Sequence, residues 1–404
     1  MGAVPLRRNR DFALLQGGQL LSALGSESAA IAYPLLVLAV TGSPAMAGVV
    51  SFARVLPFAL FGLLAGVAAD RYDRRALMLA ADAVKAVAVA ALAVVIALGE
   101  VAIWQIAAVA FVQGAASAVT MPAAAGALRS VVPPGQLHAA AGVQQSRLAA
   151  ALIAGPPIGG ALFGVGRAVP FVADAVSYAF SVVSLLLMRT PFQHERPVER
   201  APLRARVAEG FRFLWRQPFI RTTTFVYGLG NFIIPALLFA VVVVGERQGL
   251  TGGRIGVLLA ATGVCVLAGS LASPLFRRRL SARAILLLEL WAWPAAALFV
   301  AFPDVHVLVA AILPALFAAP ITDSVVIGSR LAITPDRLVG RVESVRSTLA
   351  LSITPFGPLA AGVLLSAVSA SATVAVFALL SLGLAVWGTA SAALREPPLP
   401  EEAA

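Results

Sequence analysis

The chain has 404 residues, 60% of them hydrophobic and only 12% charged, with a formal net charge of +11. So few charges cannot cover a water-soluble protein of this length, whereas a bilayer-embedded one needs no such cover. A lone cysteine, Cys265, excludes an internal disulfide and a cysteine-based metal site, and His138, His194 and His306 are too far apart for ligand spacing.

In chain order, residues 1–11 form a short basic tail with Arg7, Arg8 and Arg10. Apolar runs then follow in series, most of about 20 residues or more, enough to cross a hydrocarbon core of ~30 Å. The run after Arg10 is too long for a cleaved leader. Six spans are predicted at 12–40, 44–69, 76–98, 101–128, 138–164 and 168–188. Six more are predicted at 219–244, 253–275, 283–302, 305–330, 338–365 and 369–394. Ser43 and Pro44 predict an N-cap and first position for span 2. The expected division is a bundle over 1–188, a linker over 189–218, a second bundle over 219–395 and a disordered tail over 396–404. Within the linker, Phe211, Leu214 and Trp215 fall at helical spacing with Arg212 and Arg216 interleaved. That pattern suits a short helix lying on the inner leaflet, or one packed on protein.

One stretch occurs twice. Each copy has an arginine, a proline-marked turn and an apolar helix with Gly-Pro and then Gly. Pro133 and Pro335 are 202 residues apart, as are Gly155 and Gly357, Pro156 and Pro358, and Gly160 and Gly362. That separation is half the chain, the mark of two like halves. Basic residues sort by loop. With the N-terminus inside, 23 of the 30 Lys and Arg lie in the inner segments and three (Arg167, Arg247 and Arg254) in outer loops. This is the positive-inside pattern, and it accounts for the net charge without nucleic acid.

Span 2 ends in GLLAGVAADRYDRRALM. Gly66, Asp70, Arg71, Arg74 and Arg75 reproduce the spacing G-x3-D-R-x2-R-[RK], which resembles the loop between helices 2 and 3 of the major facilitator superfamily. Gly155, Pro156, Gly159 and Gly160 resemble a helix-5 motif of its proton-coupled exporters, with Ala151 where that motif has glycine. TGSPAMAG from Thr41, ADAVSYAFS from Ala173 and TPDRLVGRVESVR from Thr334 resemble the bacterial branch with the enterobactin exporter and macrolide-efflux proteins. The resemblance covers essentially the whole chain. It implies an all-α integral membrane fold, with twelve transmembrane helices in two pseudo-twofold-related six-helix bundles. It also implies a monomer in the inner membrane, with both termini cytoplasmic and no cofactor. The loop after span 2 would form a cytoplasmic gate, with Asp70 accepting from amides at the start of span 11 and Arg71 and Arg74 pairing with carboxylates or headgroups. Gly66 would allow close helix approach.

Ionisable groups at membrane depth are functional candidates by default. Residue counting puts Glu27 and Arg54 near the middle of spans 1 and 2, where they are expected to face each other or share a wet cavity, leaving Glu27 poised to exchange a proton. Asp323 and Glu289 are the candidates in the second half, with Asn231 beside Pro235 as a polar cavity residue. Asp82 and Lys85, three apart on one helix, are expected to form a structural ion pair, as are Glu343 and Arg346. No P-loop pattern is present, and no constellation for hydrolysis, so the chain is not expected to be an enzyme. The expected function is secondary export of a small organic molecule (drug, siderophore or secondary metabolite) by alternating access, in exchange for protons. Proton-coupled or facilitated uptake on the same fold is the alternative, and a non-transporting membrane sensor a remoter one.

Overall fold

The structure, a computed structural model, describes residues 6–192 and 203–395. The tail at 396–404 and linker residues 193–202 lie outside the described residues. No strand occurs among the described residues. Among them, twelve helices are long and apolar enough to cross a membrane. Spans 1–6 are Arg10–Thr41, Pro44–Arg71, Arg74–Leu98, Ile103–Val131, Pro134–Val165 and Val169–Leu187. Spans 7–12 are Pro218–Arg247, Gly252–Arg279, Ala282–Ala301, Val305–Ile333, Asp336–Ala367 and Ala370–Ala390. A linker helix, Leu203–Arg216, precedes span 7.

The helix ends follow from local chemistry. Ser43 caps span 2 by accepting from the Met46 amide, with Pro44 in the first turn, as the sequence predicts. Gly42 ends span 1 in the left-handed region, at φ 64°. Asn9 accepts from the Phe12 amide, and its side-chain amide donates to the Val131 carbonyl at 2.9 Å, so the start of span 1 is pinned to the end of span 4. Asp11 accepts from the Arg189 and Thr190 amides just past span 6.

Two spans are interrupted, which apolar periodicity does not reveal. Span 9 is α-helical over Ala282–Ala292, tightens to a 3₁₀ turn over Trp293–Ala297 and resumes at Leu298–Ala301. Span 11 breaks between Asp336–Ser352 and Phe356–Ala367. Pro294 and Pro355 lie at these breaks; each lacks an amide proton and crowds the preceding turn. The residue 202 before Pro355 is Ile153, so the equivalent helix in the first copy, Leu137–Val165, runs on through Pro156 and Pro157.

By contact the chain divides into two compact units: Met1–Pro197 with Gly245–Ala260, and Val198–Val244 with Ala261–Ala404. Within the first, a Cβ on Gly160 would stand 2.0 Å from the Gly252 carbonyl oxygen, and one on Gly256 would stand 2.3 Å from that of Pro156. The backbone contact of span 5 with the start of span 8 therefore tolerates nothing larger than glycine at these positions. Spans 2 and 4 meet as tightly, since a Cβ on Gly114 would lie 2.1 Å from the Arg54 carbonyl oxygen. Gly114→Ala is expected to cost about 1–3 kcal/mol by overpacking. Gly17→Ala, with nothing within 4 Å, should be neutral or stabilising by up to ~1 kcal/mol. Thermal unfolding of the two variants in detergent measures the contrast.

Candidate functional site

In the first unit, polar side chains from spans 1, 3, 4 and 6 form one connected net. Gln113 on span 4 donates to Asp174 at 2.7 Å and to the Tyr178 hydroxyl at 2.8 Å, both on span 6. Ser26 on span 1 hydrogen-bonds the same hydroxyl at 2.7 Å. On span 3, Lys85 and Asp82 pair at 2.7 Å, and Ser181 of span 6 donates to Asp82. The Lys85 ammonium also lies 4.3 Å from the centre of the Tyr178 ring. Asp82, Lys85, Gln113 and Asp174 are all buried. Two polar atoms at this depth, the Tyr33 hydroxyl and the Gln113 side-chain oxygen, have no partner.

Glu27 and Arg54 both lie beside this net. Arg54 donates to the Ser26 carbonyl oxygen at 3.1 Å and stands over the Tyr33 ring. It is near enough for its charge to act on Glu27, yet no ion pair within 4.0 Å joins the two among the described residues. The reason is helical geometry: Ser26 and Glu27 are about 100° apart around span 1, from ~3.6 residues per turn. Ser26 faces span 6, while Glu27 faces span 5. The helix-5 motif receives it there. A Cβ on Gly155 would stand 2.4 Å from the Cβ of Glu27, and one on Gly159 would stand 2.1 Å from the Ser28 carbonyl oxygen. Ser28 donates to the Gly155 carbonyl at 3.0 Å. The sequence presented Glu27 and the helix-5 glycines as separate signals, and they are one contact.

The loop after span 2 is built differently from its expectation. Arg74 is buried and donates to the Ala69 and Phe192 carbonyls, with only a 3.7 Å ion pair to exposed Asp70. Arg75 donates to Leu185 and Leu186 at 2.9 and 2.8 Å, closing the last carbonyls of span 6. Arg71 is exposed, over the Tyr72 ring. Gly66 has nothing within 4 Å of its Cβ position, so the close approach expected there is not made. The buried face of this segment carries Ala65 and Ala69, and Gly66 lies one residue off it.

In the second unit, three of the predicted residues line one cavity. Glu289, Asp323 and Asn231 surround a space of about 160 Å³ with Tyr227, Thr322 and Ser381. That volume holds on the order of ten waters. The Tyr227 hydroxyl donates to Asp323, and Asn231 donates to the Ala350 carbonyl at 3.0 Å, next to the break in span 11. Arg346 lies over the Tyr227 ring. Glu343 pairs with Arg346 at 2.6 Å, as the spacing predicts, and also with Arg330 at 2.8 Å. Two carboxyls thus reach one mostly apolar space lined by spans 7, 9, 10 and 12. No cluster of three or more His, Cys, Asp or Glu able to hold a metal occurs among the described residues.

Sequence reading passed over Gln113, Tyr178 and Ser26. An uncharged amide in an apolar helix was the one available signal for Gln113. Asp174 lies within two turns of the start of span 6, and only the fold brings it against Gln113. Gln113→Leu should cost about 1–3 kcal/mol, because it leaves a buried carboxyl without its donor. Asp174→Asn should cost less in that background than alone, with a coupling of at least ~0.5 kcal/mol in a double-mutant cycle of thermal unfolding.

Comparison with known proteins matches the chain over nearly its whole length. The model of the transmembrane secretion effector family matches residues 2–404. The multidrug efflux pump Tap of Mycobacterium tuberculosis is 29% identical, over 95% of this chain and 92% of Tap. Macrolide efflux protein A of Streptococcus pyogenes is 28% identical over 45% of each chain. Among solved structures, a bacterial homologue of the human lysosomal transporter Spinster superposes with a TM-score of 0.72 at 16% identity, covering 97% of both chains. The nucleoside transporter NupG gives 0.71 at 11% identity, covering 96% of this chain and 99% of NupG. Twelve apolar spans, a polar net buried in one half and an acidic cavity in the other thus coincide with a full-length family match: this chain is a multi-pass membrane protein of the transmembrane secretion effector family, within the major facilitator superfamily.

Proposed function

We propose that the protein exports small organic molecules of the drug type from the cell by alternating access, in exchange for protons. The observation that carries this reading is the cavity in the second unit, where Glu289 and Asp323 meet Asn231 and Tyr227. Charged groups at membrane depth cost several kcal/mol unless they do something or are hydrated, and here two acids share one small wet space. Relatives named as multidrug and macrolide efflux proteins support the substrate class and direction. The distribution of arginines supports an orientation with both termini in the cytoplasm.

Glu27 has a role of its own in this reading. It sits half-buried on span 1, within reach of the Arg54 field and against the Gly155 backbone. A proton arriving there removes a negative charge that Arg54 otherwise balances, and this changes the load on the contact between spans 1 and 5. The helix-5 glycines keep that contact tight enough to limit ion leak. Asp70 and the arginines after span 2 act as a gate between conformations, with Arg74 and Arg75 holding the loop to span 6.

Everted membrane vesicles energised by a pH gradient test the coupling, with a radiolabelled macrolide as the transported probe. Wild-type protein should accumulate the macrolide, and dissipating the gradient should abolish it. Glu27→Gln should lower gradient-driven accumulation at least ~10-fold with insertion unchanged, about 1.4 kcal/mol in the coupled step. Undiminished coupling would remove Glu27 from the proton path. For the gate, Asp70→Asn should slow macrolide exchange more than it weakens macrolide binding. A fall in affinity alone, measured by equilibrium binding to the purified variant, would sink that role.

A further inference from the structure

The second unit carries a groove that the transport reading does not use. It has a volume of about 940 Å³ and opens between the linker helix and spans 7, 11 and 12. Its walls are apolar, with Phe225, Leu229, Ile353, Leu380 and Trp387 among them. The hollow has two structural causes. Gly228 and Gly383 line it without side chains, and a Cβ on Gly383 would meet nothing within 4 Å. Ser352 and Ile353, also in its wall, are at the break of span 11.

Its charged end lies by the linker helix. Arg221 and Trp215 are both part of the lining. The Arg221 guanidinium donates to the Trp215 carbonyl at 3.2 Å and lies 5.6 Å from the centre of the Trp215 ring. That bond uses one of five guanidinium N–H donors. Arg212 and Arg216 are exposed on the same helix, which is held to span 11 by the ion pair of Glu209 with Arg341 and by buried Leu214. Among the described residues no carboxylate lines the groove, so its one formal charge is the positive charge of Arg221. An apolar trough ending in arginine and tryptophan, beside further arginines, matches a molecule with long hydrocarbon chains and an anionic head.

We infer that the groove is a binding site for one anionic phospholipid, its phosphate on Arg221 and its acyl chains along spans 7 and 12. Which leaflet supplies it rests on the orientation proposed above, and the site itself does not. The linker helix is packed on protein through Leu214 while Phe211 and Trp215, stacked at 5.6 Å, stay exposed. The helix thus has one face on protein and two aromatic rings outside it. The bound lipid joins them, sealing the linker helix to the second unit.

The test uses the full chain in detergent micelles, with Trp104, Trp291 and Trp293 replaced by Phe so that Trp215 and Trp387 report on the groove. Tryptophan emission is titrated with brominated phosphatidylglycerol and, separately, with brominated phosphatidylcholine. Phosphatidylglycerol should quench at about fivefold lower mole fraction, the effect of one arginine on an anionic headgroup. Arg221→Gln should erase the preference and Arg221→Lys should keep most of it. Gly383→Leu, which fills the groove and leaves every arginine in place, should erase it as well. Circular dichroism checks that each variant keeps its helix content. Equal quenching by the two lipids, or a preference that survives both Arg221→Gln and Gly383→Leu, overturns the assignment. So does relief of quenching by an excess of macrolide, which would make the groove a substrate site. The assay involves no transport, so its failure is distinct from a failure of the proposed export.

Discussion

Hydrocarbon offers a buried polar group no solvent, so each one in a span must find its partner in the protein. Apart from atoms such as the Tyr33 hydroxyl and the Gln113 oxygen, the first unit meets this constraint with a net in which Gln113 bonds both Asp174 and Tyr178, Ser26 bonds Tyr178, and Ser181 bonds an Asp82 that also pairs with Lys85. Each bond crosses from one helix to another or closes an ion pair. The net therefore sets the rotation of spans 1, 3, 4 and 6 about their own axes, and glycine contacts at Gly114, Gly155 and Gly159 set the spacing of span 4 to span 2 and of span 5 to span 1. Within lipid there is little hydrophobic drive between helices, so close backbone packing and polar bonds between them carry the specificity.

The second unit treats its polar groups differently. Its acids are not consumed in buried pairs but reach a cavity of about 160 Å³, shared by Glu289 and Asp323 with Asn231 and Tyr227. The duplication in the sequence does not extend to this chemistry. The position 202 residues after Asp174 is Val376. Two like helical frameworks thus hold unlike polar contents, one closed in buried bonds and one opening on a cavity. Among the described residues, interruptions at Pro294 and Pro355 occur only in the second framework, the first of them beside Trp293 in the cavity wall.

Arginine has three distinct uses in this chain, although the residue type is the same. Arg75 and Arg74 bond backbone carbonyls and close helix ends. Arg54 and Arg346 lie over tyrosine rings within the spans. Arg221 lines the mouth of an apolar groove and bonds the Trp215 carbonyl. A loop count of basic residues treats all but the second of these alike, because the positive-inside pattern depends only on which side of the bilayer a charge lies.

Hydropathy and helix caps are properties of one segment at a time, and the sequence by itself therefore determined the number of spans, nearly all of their ends, and the Ser43 cap. It also determined the Asp82–Lys85 and Glu343–Arg346 pairs, which are three residues apart on a single helix. Partners between helices were beyond its reach. Gln113 meets Asp174 across 61 positions and Asn231 meets Ala350 across 119. Glu27 lies against Gly155 rather than in an ion pair with Arg54, since one residue along a helix turns a side chain by about 100°. Only tertiary structure decides such contacts, because they depend on how each helix is rotated against its neighbours, and that rotation is set by the small residues and polar bonds of the whole bundle.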